Sequence, residues 1–348
     1  MLSWFNKTDD SSILPVTEQL SHLFTNGVQV TINELLPYQT KTKLIDIAAT
    51  KNLHSKLSGN YLSRSKGQGM EFDEVRHYQT GDDVRAIDWR VTARTGKTHT
   101  KLFREEVERP VLIATDLTAS MKFGSQLLFK SVQASHVASL IAWHVKARGD
   151  RIGGIVFNNS NHCELKPRSR KAGVLHYLHA LSQIDKEAVQ ITKNNDNDKD
   201  NATDNSLDNQ VPSEPPHHAF EDNCARLRQL ARPGTLVYLI TDGQHINESA
   251  LRHLTKISQH CELVVCLISD PLEYQLPQSS YKLNVALTDG EQEIQLTLGD
   301  KQTAEKYQQQ ASSLKNKREK SLVNAGARVV HFSAGESIET QLKNGSRA

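Results

Sequence analysis

The run Val111-Leu-Ile-Ala-Thr115 constrains the fold more than any other stretch of this 348-residue chain. Five apolar or small residues lead into Asp116, and Thr118 and Ser120 follow at a spacing of two. Beyond Phe123-Gly124 comes a long amphipathic run. That order predicts a buried strand, a polar turn and a helix. A second strand-like run, Leu236–Ile240, ends in Thr241-Asp242-Gly243. Open parallel sheets bind ligands just beyond the carboxyl ends of their strands, which puts both aspartates where function is expected. Asp116, Thr118, Ser120 and Asp242 together form an oxygen-rich set suited to a hard divalent cation such as Mg²⁺.

The same alternation continues downstream of Pro110. Strands are expected at 111–115, 151–157, 236–240, 263–269 and 327–332, with a short edge strand at 162–166. Helices are expected at 126–148, 172–184, 219–231, 248–258 and 303–324. Interleaving of this kind predicts an α/β fold, a mostly parallel sheet with helices on both faces. Residues 283–298 read as a hairpin with Asp289-Gly290 as a two-residue turn. Residues 191–218, crowded with Asn and Asp and then Pro, hold too little apolar surface to order and are expected to form a mobile insertion. Upstream, 67–78, 84–93 and 98–107 read as three strands of a small β-rich module. The expected division is an N-terminal polar and helical segment at 1–60, with a helix near 41–51. The β-rich module follows at 61–109, the α/β domain at 110–335 and a tail at 336–348.

A formal charge of +2 gives no basic bias that would announce a nucleic-acid partner. The four cysteines, Cys163, Cys224, Cys261 and Cys266, are too scattered for a disulfide framework and read as buried thiols. No secretory signal and no apolar run of about 20 residues is visible, so direct membrane insertion is not expected and a cytoplasmic location is.

The Asp-x-Thr-x-Ser turn at 116–120, with Thr-Asp-Gly closing a later strand, resembles the metal-ion-dependent adhesion site of von Willebrand factor A domains. The block Gly69-Met-Glu-Phe-Asp-Glu-Val-Arg-His-Tyr78, then Gly81-Asp-Asp-Val-Arg-Ala-Ile-Asp-Trp89 and Thr92-Ala-Arg94, resembles the bacterial family called domain of unknown function 58. Ser120-Met-Lys-Phe-Gly124, Gly149-Asp150 and Asp270-Pro-Leu-Glu273 fit the same family, so the resemblance runs from about Gln68 to Phe332. It implies a von Willebrand A-like domain preceded by a β-rich extension. It also implies an adaptor role beside a MoxR-type AAA+ ATPase or another von Willebrand A protein. One departure stands out. The adhesion site usually has a further threonine, whereas Lys166-Pro-Arg-Ser-Arg-Lys-Ala-Gly173 has none; Ser169 is either its substitute or a helix cap.

Within the upstream block, Arg76, Tyr78, Asp82, Asp83, Arg85, Asp88, Trp89 and Arg94 read either as an ion-pair network joining two modules or as a partner-docking surface. So many interleaved carboxylates exclude a nucleic-acid groove. Arg94-Thr-Gly-Lys-Thr98 lacks the preceding glycine of a phosphate-binding loop, and His176 with His179 reads as two surface histidines. The leading expectation is a non-enzymatic interaction protein that uses a divalent cation to bind an acidic group of a partner. The alternatives are a metal-dependent phosphoester hydrolase built on the same aspartates and a metal-free scaffold with a degenerate site.

Overall fold

The structure is a computed structural model that describes residues 15–48, 70–105, 108–199, 218–277, 281, 283–288 and 293–345. In chain order these form α1 (Val16–His22), α2 (Ile32–Leu35), α3 (Lys43–Ala48), β1 (Met70–His77), α4 (Trp89–Thr95), β2 (His99–Glu105) and β3 (Pro110–Asp116). Next come α5 (Lys130–Ala147), β4 (Arg151–Phe157), β5 (His162–Arg168), α6 (Arg170–Lys199), α7 (His218–Leu230), β6 (Leu236–Thr241), α8 (Glu248–Ser258) and β7 (Glu262–Ser269). The chain closes with β8 (Leu283–Thr288), β9 (Glu293–Leu298), α9 (Lys301–Asn324), β10 (Arg328–Ser333) and α10 (Ile338–Gly345).

Six strands form one sheet in the order β10-β7-β6-β3-β4-β5, parallel throughout except for β5, which pairs antiparallel at the edge. The expected α/β architecture is what the chain adopts. Period-two alternation along β3 sends Val111 and Ile113 into one core and Leu112 and Ala114 into the other. The first core is closed by α5 and α6, with Trp143, Leu140 and Tyr177 among its members. The second is closed by α7, α8 and α9 through Phe220, Leu254 and Leu322. Helix α5 is buried from Lys130 to Val145, and two of its polar groups are met from the N-terminal segment: Ser139 Oγ and Trp143 Nε1 both donate to the Leu35 carbonyl, at 2.8 and 3.3 Å. Strand β4 needs glycine against β3, because a Cβ on Gly154 (φ +152°) would stand 1.9 Å from the Ile113 carbonyl oxygen.

Several boundaries differ from the sequence reading. Leu23, Val30, Leu35, Tyr38 and Ile45 belong to the first core, so the described part of 1–60 is no separate polar segment but packs on α5. Its apolar residues carry no helical period because short turns separate them. The expected tail contributes Ile338 and Leu342 of α10 to the same core. Helix α6 continues through 191–199, which the sequence places in the insertion; residues 200–217 lie outside the described residues. In the β8–β9 hairpin, Thr288 pairs with Glu293, so four residues and not two separate the strands; that tip lies outside the described residues.

Residues Asn60–Arg109 form a unit of their own. Strands β1 and β2 pair antiparallel, Val75 opposite Lys101 and His77 opposite His99. The expected middle strand is absent. Residues 84–86 make a 3₁₀ turn capped by Asp83, and Asp88 caps α4 by accepting from the amides of Arg90 and Val91 at 3.0 and 3.1 Å. Gly96, at φ +70°, then ends the helix. Cap chemistry at both ends outweighs the strand-like alternation between them.

Candidate functional site

Strands β3 and β6 lie side by side, with Thr115 opposite Ile240. From β3 the chain moves through α5 to β4 on one side; from β6 it moves through α8 to β7 on the other. Their carboxyl ends therefore flank the topological switch point, the crevice at which doubly wound sheets bind ligands. The four expected metal ligands converge there, but the way they are engaged differs from the expectation.

Asp116 is fully buried. Its Oδ1 accepts from the Thr118 amide at 3.0 Å and from Thr118 Oγ1 at 2.6 Å, and its Oδ2 accepts from Thr241 Oγ1 at 2.7 Å. Burial, reinforced by the nearby Asp242 carboxylate, raises its pKa from 3.8 to about 6 against the pull of these donors. Ser120 Oγ stands 3.3 Å from Thr118 Oγ1 on the half-buried lip of the turn. On the other side, Asp242 Oδ1 accepts from the Gln244 amide at 3.0 Å.

Asp242 Oδ2 faces a cation that the chain itself supplies. Lys130 Nζ lies 2.8 Å from it and 2.6 Å from Glu273 Oε1. The Lys130 side chain is 1% exposed, as is that of Asp242, whereas Glu273 is partly open. Burial works to lower the lysine pKa, but Asp242 and Glu273 together outweigh it and hold the ammonium above its ordinary range. The geometry around Lys130 is fixed from both sides. The Lys130 amide donates to the Phe123 carbonyl at 2.8 Å, closing a loop in which a Cβ on Gly124 would strike the Leu128 oxygen. Glu273 sits in the 3₁₀ turn after β7, opened by Asp270, which is fully buried and accepts from the amides of Ser125 and Leu272. Tyr307 Oη donates to the Leu272 carbonyl at 2.8 Å and pins the same turn from α9.

This arrangement does not fit a divalent ion bound by Asp116, Thr118, Ser120 and Asp242. Each oxygen of both carboxylates already has an internal donor, and the charge of Asp242 is met by an ammonium. No group of three His, Cys, Asp or Glu side chains among the described residues is disposed to hold a metal. Ser169 does not complete the set. Arg168 pairs with Ile152 while Asp116 pairs with Phe157, so Ser169 stands at the opposite end of the sheet, roughly 17 Å away at about 3.3 Å per residue. His176 and His179 are exposed on α6, and all four cysteines are free thiols, three of them buried.

The remaining candidates belong to the Asn60–Arg109 unit. Arg76 pairs with Asp82 at 2.6 Å, and Asp88 lies 3.9 Å from Lys101. Hydrogen bonding from the Val91 amide, with help from Lys101, holds Asp88 below its ordinary carboxylate range. Asp83 caps its turn, Tyr78 donates its amide to the Thr98 carbonyl, and Arg85 and Arg94 are exposed. Trp89 is 69% exposed and Val84 61%, two large apolar side chains turned to solvent. The residues missed by sequence reading are Lys130, Thr241 and Glu273.

The family model described as "Protein of unknown function DUF58" matches residues 74–319. The chain belongs to that family. Relatives of this DUF58 chain include uncharacterized proteins of Mycobacterium bovis and of Mycobacterium tuberculosis, each 32% identical over 118 residues. The match covers 34% of this chain and only 37% of each relative's length. Among solved structures, the conserved hypothetical protein BatB of Bacteroides thetaiotaomicron aligns at a TM-score of 0.40 and 14% identity, over 69% of this chain and 96% of its own. An aerotolerance-related membrane protein of Bacteroides fragilis aligns at 0.36 and 14%, over 69% and 98%. No helix among the described residues is long and apolar enough to cross a membrane.

Proposed function

We propose that this DUF58 protein is a non-enzymatic interaction protein whose switch-point rim receives an acidic group of a protein partner. The observation that carries the reading is the engagement of Asp116 and Asp242. Every oxygen of the two carboxylates holds an internal donor and Asp242 is ion-paired with Lys130, which supports structural roles for both over roles as nucleophile or general base. What the rim does present is a surface: Phe123 at 40% exposure, Ser120, and Glu273 on a buried ammonium. A partner carboxylate approaching there exchanges with Glu273 at Lys130. The exposed Trp89 and Val84 support a second contact area, since tryptophan is enriched where interfaces bind most strongly.

The partner suggested by the family resemblance is a MoxR-type AAA+ ATPase or another von Willebrand A protein. The test is association of the full chain with such an ATPase, measured by co-elution and light scattering, alongside a phosphatase and nuclease screen with Mg²⁺ and Mn²⁺. A complex weakened by Ser120→Arg, without turnover, supports the reading. Reproducible hydrolysis abolished by Asp242→Ala would replace it with the hydrolase.

A further inference from the structure

We infer that Lys130 is the resident cation of the switch-point site, in place of a divalent metal, and that removing its charge uncovers a latent metal site. Three observations point the same way. Lys130 is among the largest fully buried side chains of the protein, yet it is charged and makes two ion pairs, at 2.8 Å to Asp242 and 2.6 Å to Glu273. It is the first residue of α5, where the helix dipole disfavours a cation, so helix stability does not explain its place. The oxygens that meet it, from the carboxylates of Asp242 and Glu273, are of the hard type that a small divalent ion takes. Asp116, close enough to Asp242 for the two charges to interact, holds the Thr118 and Thr241 hydroxyls, and Ser120 Oγ lies 3.3 Å from Thr118 Oγ1. An ammonium is a point charge with three donors, whereas a divalent ion needs near-octahedral space and retained waters. The tethered charge has no dissociation constant, so the site keeps its cation at any metal concentration. This goes beyond the interaction reading, and its test needs no partner.

The experiment titrates the full chain with Mg²⁺ and Mn²⁺, following thermal unfolding and the free Mn²⁺ signal in electron paramagnetic resonance. Wild type is expected to be indifferent to millimolar amounts of either ion. Lys130→Met, which keeps the length and loses the charge, is expected to melt lower without metal and to recover several degrees with it while taking up Mn²⁺. Lys130→Met combined with Asp242→Asn is expected to lose that recovery, and Lys130→Arg to stay indifferent like wild type. Uptake of Mn²⁺ by the wild-type chain overturns the inference whether or not the Met variant folds. So does a folded Lys130→Met protein that ignores both ions.

Discussion

Lys130 and Asp116 face the same problem, a charge taken out of water, and meet it differently. Lys130 has two carboxylates within ion-pair distance, and taking one member from a buried pair strands the others. Lys130→Met is therefore expected to cost about 3–5 kcal/mol in urea unfolding without added metal; a cost within about 0.5 kcal/mol of zero would mean that the ammonium is a surface charge in solution. Asp116 has only neutral donors, and burial lifts its pKa to about 6. The folded state then binds the proton more tightly than the unfolded chain, for which 3.8 is the reference. Stability from this group is present below the unfolded pKa and is lost as pH rises from about 4 to about 6, a loss on the order of 2–3 kcal/mol. Comparison of wild type with Asp116→Asn across that range isolates it. A difference that grows toward acid pH, with wild type gaining, is expected; a difference independent of pH would contradict the shift.

The elements themselves were largely legible. Strands β3, β6 and β7 are short apolar runs between polar turns, and β6 is buried along its whole length, so pattern and packing agree. Helix α4 was not legible as a helix, because its alternation suits a strand and only the Asp88 cap and Gly96 decide otherwise. Lys130 was illegible for another reason. A lysine at the start of a helix reads as solvent-facing, and its carboxylates lie 112 and 143 residues away in sequence. Asp242 is legible because it ends a strand as Asp116 does; Glu273 stands out in the sequence only as part of the family motif Asp270-Pro-Leu-Glu273. The tightest inter-strand constraint, Gly154 of β4, makes a sharp expectation. Gly154→Ala drives a methyl into the Ile113 carbonyl at a φ that alanine rarely adopts, and is expected to cost about 3 kcal/mol or more by denaturant midpoint. A loss under about 1 kcal/mol would mean that β3 and β4 do not pack as described.

In the α/β unit, residues from the N-terminal segment and from α10 close one core from opposite ends of the chain. Composition concealed this, since single apolar anchors such as Leu35 and Tyr38 are spaced by polar turns and carry no period. Leu35→Ala removes a fully buried side chain beside the carbonyl that takes Ser139 and Trp143, and is expected to cost about 2–5 kcal/mol in a single transition. A separate early transition would instead make residues 15–48 an independent segment. At the same scale the protein is a doubly wound sheet whose switch point holds its own positive charge. Crystals of the wild-type chain soaked in millimolar Mn²⁺ and measured at an anomalous wavelength test this most directly. No anomalous peak is expected at the carboxyl ends of β3 and β6, with Lys130 Nζ between Asp242 and Glu273. A peak coordinated by Asp116, Ser120 or Asp242, with the lysine swung away, would contradict it.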